Sequence, residues 1–288
     1  MIGPESKNDF QRKDAPARYP GASTVARSHQ AAEEISGMRR AHKFVTPASF
    51  NGLLTNKLLT QLPGEDFARL LPYLTPVSLS CGEDLYRFGE SINDVYFPET
   101  AVISHLHFME DGSMTSAAVI GREGLVGLSA IFDAPTPSYW TQVTIGGSAM
   151  RVEAEVIKKE FDRSGEMQRL LLNYTSIRLS QLSQRAVCNG RHRLAQRLCT
   201  WLLMIHDRAG DEQLPLTHEE IAHHLGLRRA GITTACNILR DGGAINYQRG
   251  MIRILDRQIL EAAACECYRV LGQAVETPLR PKGITHAR

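Results

Sequence analysis

Residues 214–240 read LPLTHEEIAHHLGLRRAGITTACNILR. Thr217, followed at the third position by Glu220, is the reciprocal pair that caps a helix start. A helix is therefore expected from there to Leu225, with Ile221 and Leu225 facing inward and Gly226 ending it. A second helix is expected over about Arg228 to Arg240. Ile232, Cys236 and Leu239 then fall at inward spacing, and Arg229, Thr233, Thr234, Asn237 and Arg240 are left outside. Two short helices joined by a glycine turn make a helix-turn-helix. Gly231, inside the second helix, costs about 1 kcal/mol relative to alanine and implies close approach to a nucleic acid or to a neighbouring helix.

Immediately downstream, AINYQRGMIRIL (residues 244–255) alternates on both sides of Gln248-Arg249-Gly250 and reads as a β-hairpin with Arg249 at its tip and Arg253 beside it. Cap, glycine turn, exposed basic residues and hairpin in that order predict a winged helix-turn-helix. In such a module the second helix enters the major groove of double-stranded DNA, with Arg229 the first choice for a guanine contact. Thr217, His218, Arg249 and Arg253 would hold phosphates, and Arg228 is a further expected DNA contact. Charge agrees: from Arg185 onward there are 15 Lys and Arg against 10 Asp and Glu, a balance of +5 that leaves −3 for the remainder.

Upstream, LCTWLLMI within residues 198–205 gives a helix whose Leu198, Trp201, Leu202 and Ile205 are core. Before it, Phe161 to about Asn189 reads as one long helix. Its stripe contains Leu171, Tyr174, Ile177 and Leu182, interrupted by Arg178 and Gln181, and these six residues are expected to form a seam with a second copy of the chain. Farther upstream the texture is brief β-rich runs, VSLSC, DVYFP, AVISHLHF, TSAAVI, WTQVTI and SAMRV, separated by glycine-bearing turns, which argues for a β-barrel or jelly roll. Asn51 to Leu74 holds apolar residues at three- and four-residue intervals around Pro63-Gly64 and fits two short helices.

The expected organisation is α+β: a mobile tail over 1–50, with a short helix near 30–40 and Met38 as an alternative start; a β-roll over 51–158; a dimerisation helix over 159–190; the winged helix-turn-helix over 191–275; and a tail over 276–288. No run approaches the roughly 18 apolar residues that cross a bilayer, and the first residues lack a signal-peptide stretch, so a cytoplasmic location without membrane partners is expected. No P-loop, nucleophile elbow or HExxH motif is present, and no enzyme is expected. The six cysteines read as reduced thiols.

The order of these parts resembles the cyclic-AMP receptor protein and its relatives, the Crp/Fnr superfamily of bacterial transcription regulators. The resemblance covers about residues 50–275 and rests on CGEDLYRFGE, VYFPETAVIS and MEDGSMTSAAVIGREGLVG in the roll, then AVCNGRHRLAQRLCTWLLMIHDRAG, the helix-turn-helix and EAAACECYRV. It implies a cyclic-nucleotide-binding-like roll and a homodimer reading a palindromic site, with RNA polymerase as a further partner if the protein activates. In the family's cyclic-AMP binders a Gly-Glu pair takes the ribose and an Arg-Ser-Ala-type segment takes the phosphate. Here Gly127 is followed by Leu128, and Ser138-Tyr139-Trp140-Thr141 offers no arginine. A phosphate without an opposing cation is poorly held, so a degenerate pocket near Gly127, Leu128, Trp140 and Thr141 is expected, with an effector other than cyclic AMP. The alternative is a genuine cyclic-nucleotide-responsive regulator with a non-standard pocket.

No metal or cofactor is expected. Residues 1–80 contain none of the cysteines that iron–sulfur members use. His105 and His107, two apart on a strand, face one side as packed or solvated histidines. Cys265-x-Cys267 is too closely spaced for a standard zinc site, and on a helix the two side chains diverge, which favours a buried structural role. Aligned by Thr217 and Gly226, the recognition helix keeps the cyclic-AMP receptor's first base-reading arginine as Arg229. The following glutamate is Ala230 and the second arginine Thr234, so a different operator is implied.

Overall fold

The computed structural model describes residues 54–276. The expectations for the N-terminal tail, its short helix, the start at Met38 and nearly all of the C-terminal tail lie outside these residues.

The described chain opens with α1 (Lys57–Gln61) and α2 (Gly64–Leu70), followed by a single 3₁₀ turn over Leu71–Tyr73. Asn56 caps α1 by accepting from the amides of Leu58 and Leu59. Its amide nitrogen donates to the carbonyls of Pro98 and Gly124, at 2.9 and 2.8 Å, which ties the helix to the roll. Leu58, Leu59, Phe67 and Leu70 are completely or almost completely buried in the roll's core.

Two antiparallel sheets form the roll. One orders β1 (Thr75–Leu79), β7 (Gly147–Glu153) and β3 (Asp94–Pro98). The other orders β2 (Asp84–Tyr86), β6 (Trp140–Ile145), β4 (Val102–Phe108) and β5 (Met114–Ile120). All six strands expected from the sequence are present. The three-residue β2 and the one-turn α3 (Leu128–Ile131) are additional, and both are too short to leave a periodic signal. Along β4 and β5 most apolar side chains are buried, because the four-stranded sheet is covered on both faces over much of its length. Ile103 and Ile120 join the roll's core, whereas Val102 and Val119 join the core of the C-terminal domain.

The single long helix read over 161–189 is two helices. Ala154–Asp162 form α4 and Glu166–Arg191 form α5. Between them Ser164 takes a left-handed φ of 57°, which breaks the hydrogen-bond ladder before Gly165 reopens it. The C-terminal domain follows as α6 (Leu194–Ala209), β8 (Gln213–Leu214), α7 (His218–Leu225), α8 (Arg229–Asp241), β9 (Ile245–Gln248), β10 (Met251–Ile254), α9 (Arg257–Ala263) and α10 (Cys267–Glu276). Leu198, Trp201, Leu202 and Ile205 are buried as expected. Cys265 and Cys267 do not share a helix: Cys265 lies in the link after α9, and Cys267 opens α10.

Candidate nucleic-acid interface

The capping pair is formed as the spacing implies. The Thr217 hydroxyl accepts from the Glu220 amide at 3.2 Å, and the Glu220 carboxylate accepts from the Thr217 amide at 2.6 Å. Gly226 ends α7 at φ 62°, in the left-handed region. Helix α8 then buries Ile232, Ala235, Cys236 and Leu239, which holds its opposite face outward. Arg229, Thr234, Asn237 and Arg240 are exposed on that face, and Thr233 is half-buried. A Cβ at Gly231 would stand 2.9 Å from the Leu194 side chain, so its close neighbour is α6.

His218 does not face outward. It is buried, stacked on Tyr247 of β9 with ring centroids 4.0 Å apart, and its Nδ1 lies 3.1 Å from the Thr233 hydroxyl. Burial, with Arg229 adding, lowers its pKa and favours a neutral ring. His218 thus links α7, α8 and β9 and positions Thr233. Its role as a phosphate ligand, expected from its place beside the cap, is corrected by that enclosure.

The wing is a three-stranded sheet in the order β8-β10-β9. Gln248 pairs with Met251, leaving Arg249 and Gly250 as a two-residue turn at φ 50° and 76°, the sign a tight hairpin requires at both positions. Arg228, Arg249 and Arg253 are exposed. Several of these cations hold acidic neighbours: Arg229 lies 3.6 Å from Glu219, Arg240 3.0 Å from Asp241 and Arg253 3.6 Å from Glu212. Exposed pairs of this kind are worth under about 1 kcal/mol and yield readily to a denser anion. Sequence reasoning missed Ile238, 66% exposed on α8, whose outward position follows from its spacing to Thr234. An apolar side chain there suits a thymine methyl.

Helices α6 and α7 pack on the four-stranded sheet. Arg208 of α6 and Glu123, in the loop after β5, form a buried ion pair at 2.7 Å with both side chains 6% exposed. Trp201 stacks on His224, and Arg197 donates to the Leu225 carbonyl at 2.7 Å. Burial, then Arg185 and His223, lower the His224 pKa to about 3. Burial and neighbouring cations, Arg197 foremost, lower Arg185 to about 10.

The four residues expected to line a roll pocket have the following neighbours. Gly127, at φ 99°, is closed in by the Asp94 carbonyl and the Tyr86 hydroxyl, and Leu128 opens α3. Trp140 packs against Phe108 and under the Arg87 guanidinium, while Thr141 is buried with its hydroxyl unpaired. His105 stacks on Tyr139 at 4.2 Å, and His107 meets the same ring at 5.9 Å, so the two histidines do share a side. Burial, then Arg178 and His107, lower the His105 pKa to about 3.

The expected seam residues also divide. Leu171 and Tyr174 are buried in their own subunit, with the Tyr174 hydroxyl donating to the Leu125 carbonyl and accepting from its amide, both at 3.2 Å. Ile177 is half-buried against the roll's core. Arg178 donates to the side chain of Gln181, which is itself buried, at 2.7 Å. Only Leu182 is exposed, and it shares the open side of α5 with Leu172, Leu179 and Val187.

Residues 196–263 match the Crp-like helix-turn-helix domain. No curated protein sequence matches the chain. Among solved structures, FixK2 from Bradyrhizobium japonicum is 21% identical at a TM-score of 0.57, covering 67% of this chain and 98% of its own. A regulator of the Crp/Fnr family from Eubacterium rectale is 20% identical at 0.55, covering 73% and 98%. The c-di-GMP-responsive global regulator CLP of Xanthomonas campestris is 16% identical at 0.55, covering 67% and 100%. The chain thus carries a Crp-like helix-turn-helix domain and has the fold of the Crp/Fnr transcription regulators.

Proposed function

We propose that the protein is a cytoplasmic, homodimeric transcription regulator that reads an inverted repeat in double-stranded DNA through α8, with an effector other than cyclic AMP. The observation that carries this reading is the division of α8: one face is locked into the domain core, and the other presents Arg229, Thr234, Asn237 and Arg240 to solvent. Arg229, Thr234 and Asn237 would read base edges. Thr217, Arg228, Arg240, Arg249 and Arg253 would hold phosphates. The exposed stripe of Leu172, Leu179, Leu182 and Val187, interspersed with Ser176, Ser183 and Gly190, supports pairing of two α5 helices at close approach. Two recognition helices carried this way lie about 34 Å apart on one face of the duplex.

The reading against cyclic AMP rests on the phosphate position, where Ser138-Tyr139-Trp140-Thr141 supplies no cation and Tyr139 is already stacked on His105. Selection of bound sequences from a random duplex pool tests the proposal. Enrichment of an inverted repeat with half-sites one helical turn apart is expected. Enrichment of a site without inverted symmetry, or of an inverted repeat only when cyclic AMP is added, would overturn it.

A further inference from the structure

Four ligand-bearing side chains that the DNA-binding reading does not use come together behind the helix-turn-helix. The Cys188, Cys265 and Cys267 thiols and one His192 ring nitrogen all lie within 4.8 Å of one another. Cys188 Sγ is 3.5 Å from Cys265 Sγ, and Cys267 Sγ is 3.6 Å from His192 Nδ1. Zinc held by three thiolates and an imidazole has metal–sulfur bonds of about 2.3 Å and a metal–nitrogen bond of about 2.0 Å. A tetrahedron of those bonds has edges of about 3.5–3.8 Å, which these two pairs already match. An iron–sulfur cluster spreads its thiolates around a core of several metal and sulfide atoms, too wide for ligands this close.

The surroundings of the four groups have the polarity that a metal site needs. His192 Nε2 lies 3.2 Å from the Glu266 carboxylate, so Nε2 carries the proton and Nδ1 presents its lone pair to the sulfurs. Thr200 accepts from the Cys265 amide at 3.3 Å, which leaves its hydroxyl hydrogen free to donate to Cys265 Sγ at 3.1 Å. Gln184 donates from Nε2 to Cys267 Sγ at 3.0 Å. Donors aimed at two sulfurs and a carboxylate behind the imidazole are what thiolate ligands and a metal-bound histidine require. Neutral thiols packed in a core need neither.

We propose that Cys188, His192, Cys265 and Cys267 bind one zinc ion in a closed S₃N tetrahedron. Cys188 and His192, four apart at the end of α5, form one half-site, and the α9–α10 link supplies the other. The ion staples α10 to the exit of α5, the point where the helix that carries the dimer stripe hands over to the DNA-binding domain.

The test uses the full chain purified under reducing conditions without chelators. Elemental analysis is expected to give about one zinc per chain. Cobalt substituted for zinc in the unaltered chain is expected to give the intense visible bands of a tetrahedral site and thiolate-to-cobalt charge transfer, a readout that needs no variant to fold. Cys267→Ser should lose stoichiometric zinc, and Glu266→Gln should weaken zinc about 10- to 100-fold in chelator competition. Cys81→Ser and Cys236→Ser, outside the cluster, should retain it. An unaltered chain that neither holds zinc nor takes up cobalt overturns the proposal. So does a Cys188–Cys265 disulfide in protein isolated without reductant, or zinc retained in full by Cys267→Ser. Metal content is read without DNA, so failure of this site leaves the DNA-binding reading untouched.

Discussion

Arg229 carries the sharpest prediction. In the free protein its guanidinium rests 3.6 Å from Glu219, with both side chains exposed, and a pair that weak exchanges for a base edge at little cost. Arg229→Ala is expected to lower affinity for the selected site by about 1–3 kcal/mol and to relax specificity at one base position. Arg249→Ala at the wing tip should instead weaken all sequences alike and reduce the salt slope by about 1, as salt-series binding curves will read. Residue chemistry also sets the acid response. His105 and His224 are held near pKa 3, so between about pH 6.5 and 3 the unfolded chain binds their two protons and the folded chain does not. Glu99, raised to about 7 by burial, works in the opposite sense between about pH 4.5 and 7. His206 and His218, lowered by burial, act in the same sense as His105 and His224. Stability is therefore expected to fall as the pH drops from about 6.5 to 4.5; denaturant titrations giving a flat profile would contradict it. The Thr217–Glu220 cap was legible because both partners lie in one turn. The enclosure of His218 was not, because its stacking partner Tyr247 arrives from β9.

At the scale of elements, Thr217→Ala should cost about 1 kcal/mol in thermal or chemical unfolding, since it removes the acceptor for an orphan amide of α7. Apolar period and turn chemistry located the strands, the wing and both helices of the motif. The existence of α5 was also legible, but its start after the break at Ser164 and its orientation were not. Periodicity shows that Leu171 and Tyr174 share an apolar stripe; it does not distinguish the subunit's own roll from a second copy, and the roll takes them. The stripe left for a partner is Leu172, Leu179, Leu182 and Val187. Leu179→Asp is therefore expected to give a monomer in sedimentation, whereas an unchanged dimer would place the interface elsewhere. The four proposed zinc ligands were illegible for a related reason. Cys265-x-Cys267 gives no familiar spacing, and Cys188 and His192 reach it only through the packing of α10 on α5.

For the whole molecule, the two domains are joined through a shared apolar core and the buried Glu123–Arg208 pair, which neither composition nor spacing marks. Removing one partner strands a charge in a dry interface. Glu123→Ala is expected to destabilise the chain by about 3–5 kcal/mol, and the double variant Glu123→Leu, Arg208→Met by much less, as denaturant midpoints will read. The same junction gives an effector in the roll a mechanical route to α6 and α7, provided that it favours one docking of the domains over another. The central claim, that a dimer reads a palindrome through α8, is tested most directly by measuring affinity for the selected inverted repeat against a scrambled duplex of equal length at one salt concentration. A preference of about 10³-fold or more for the repeat is expected. Equal affinity for both duplexes would contradict it.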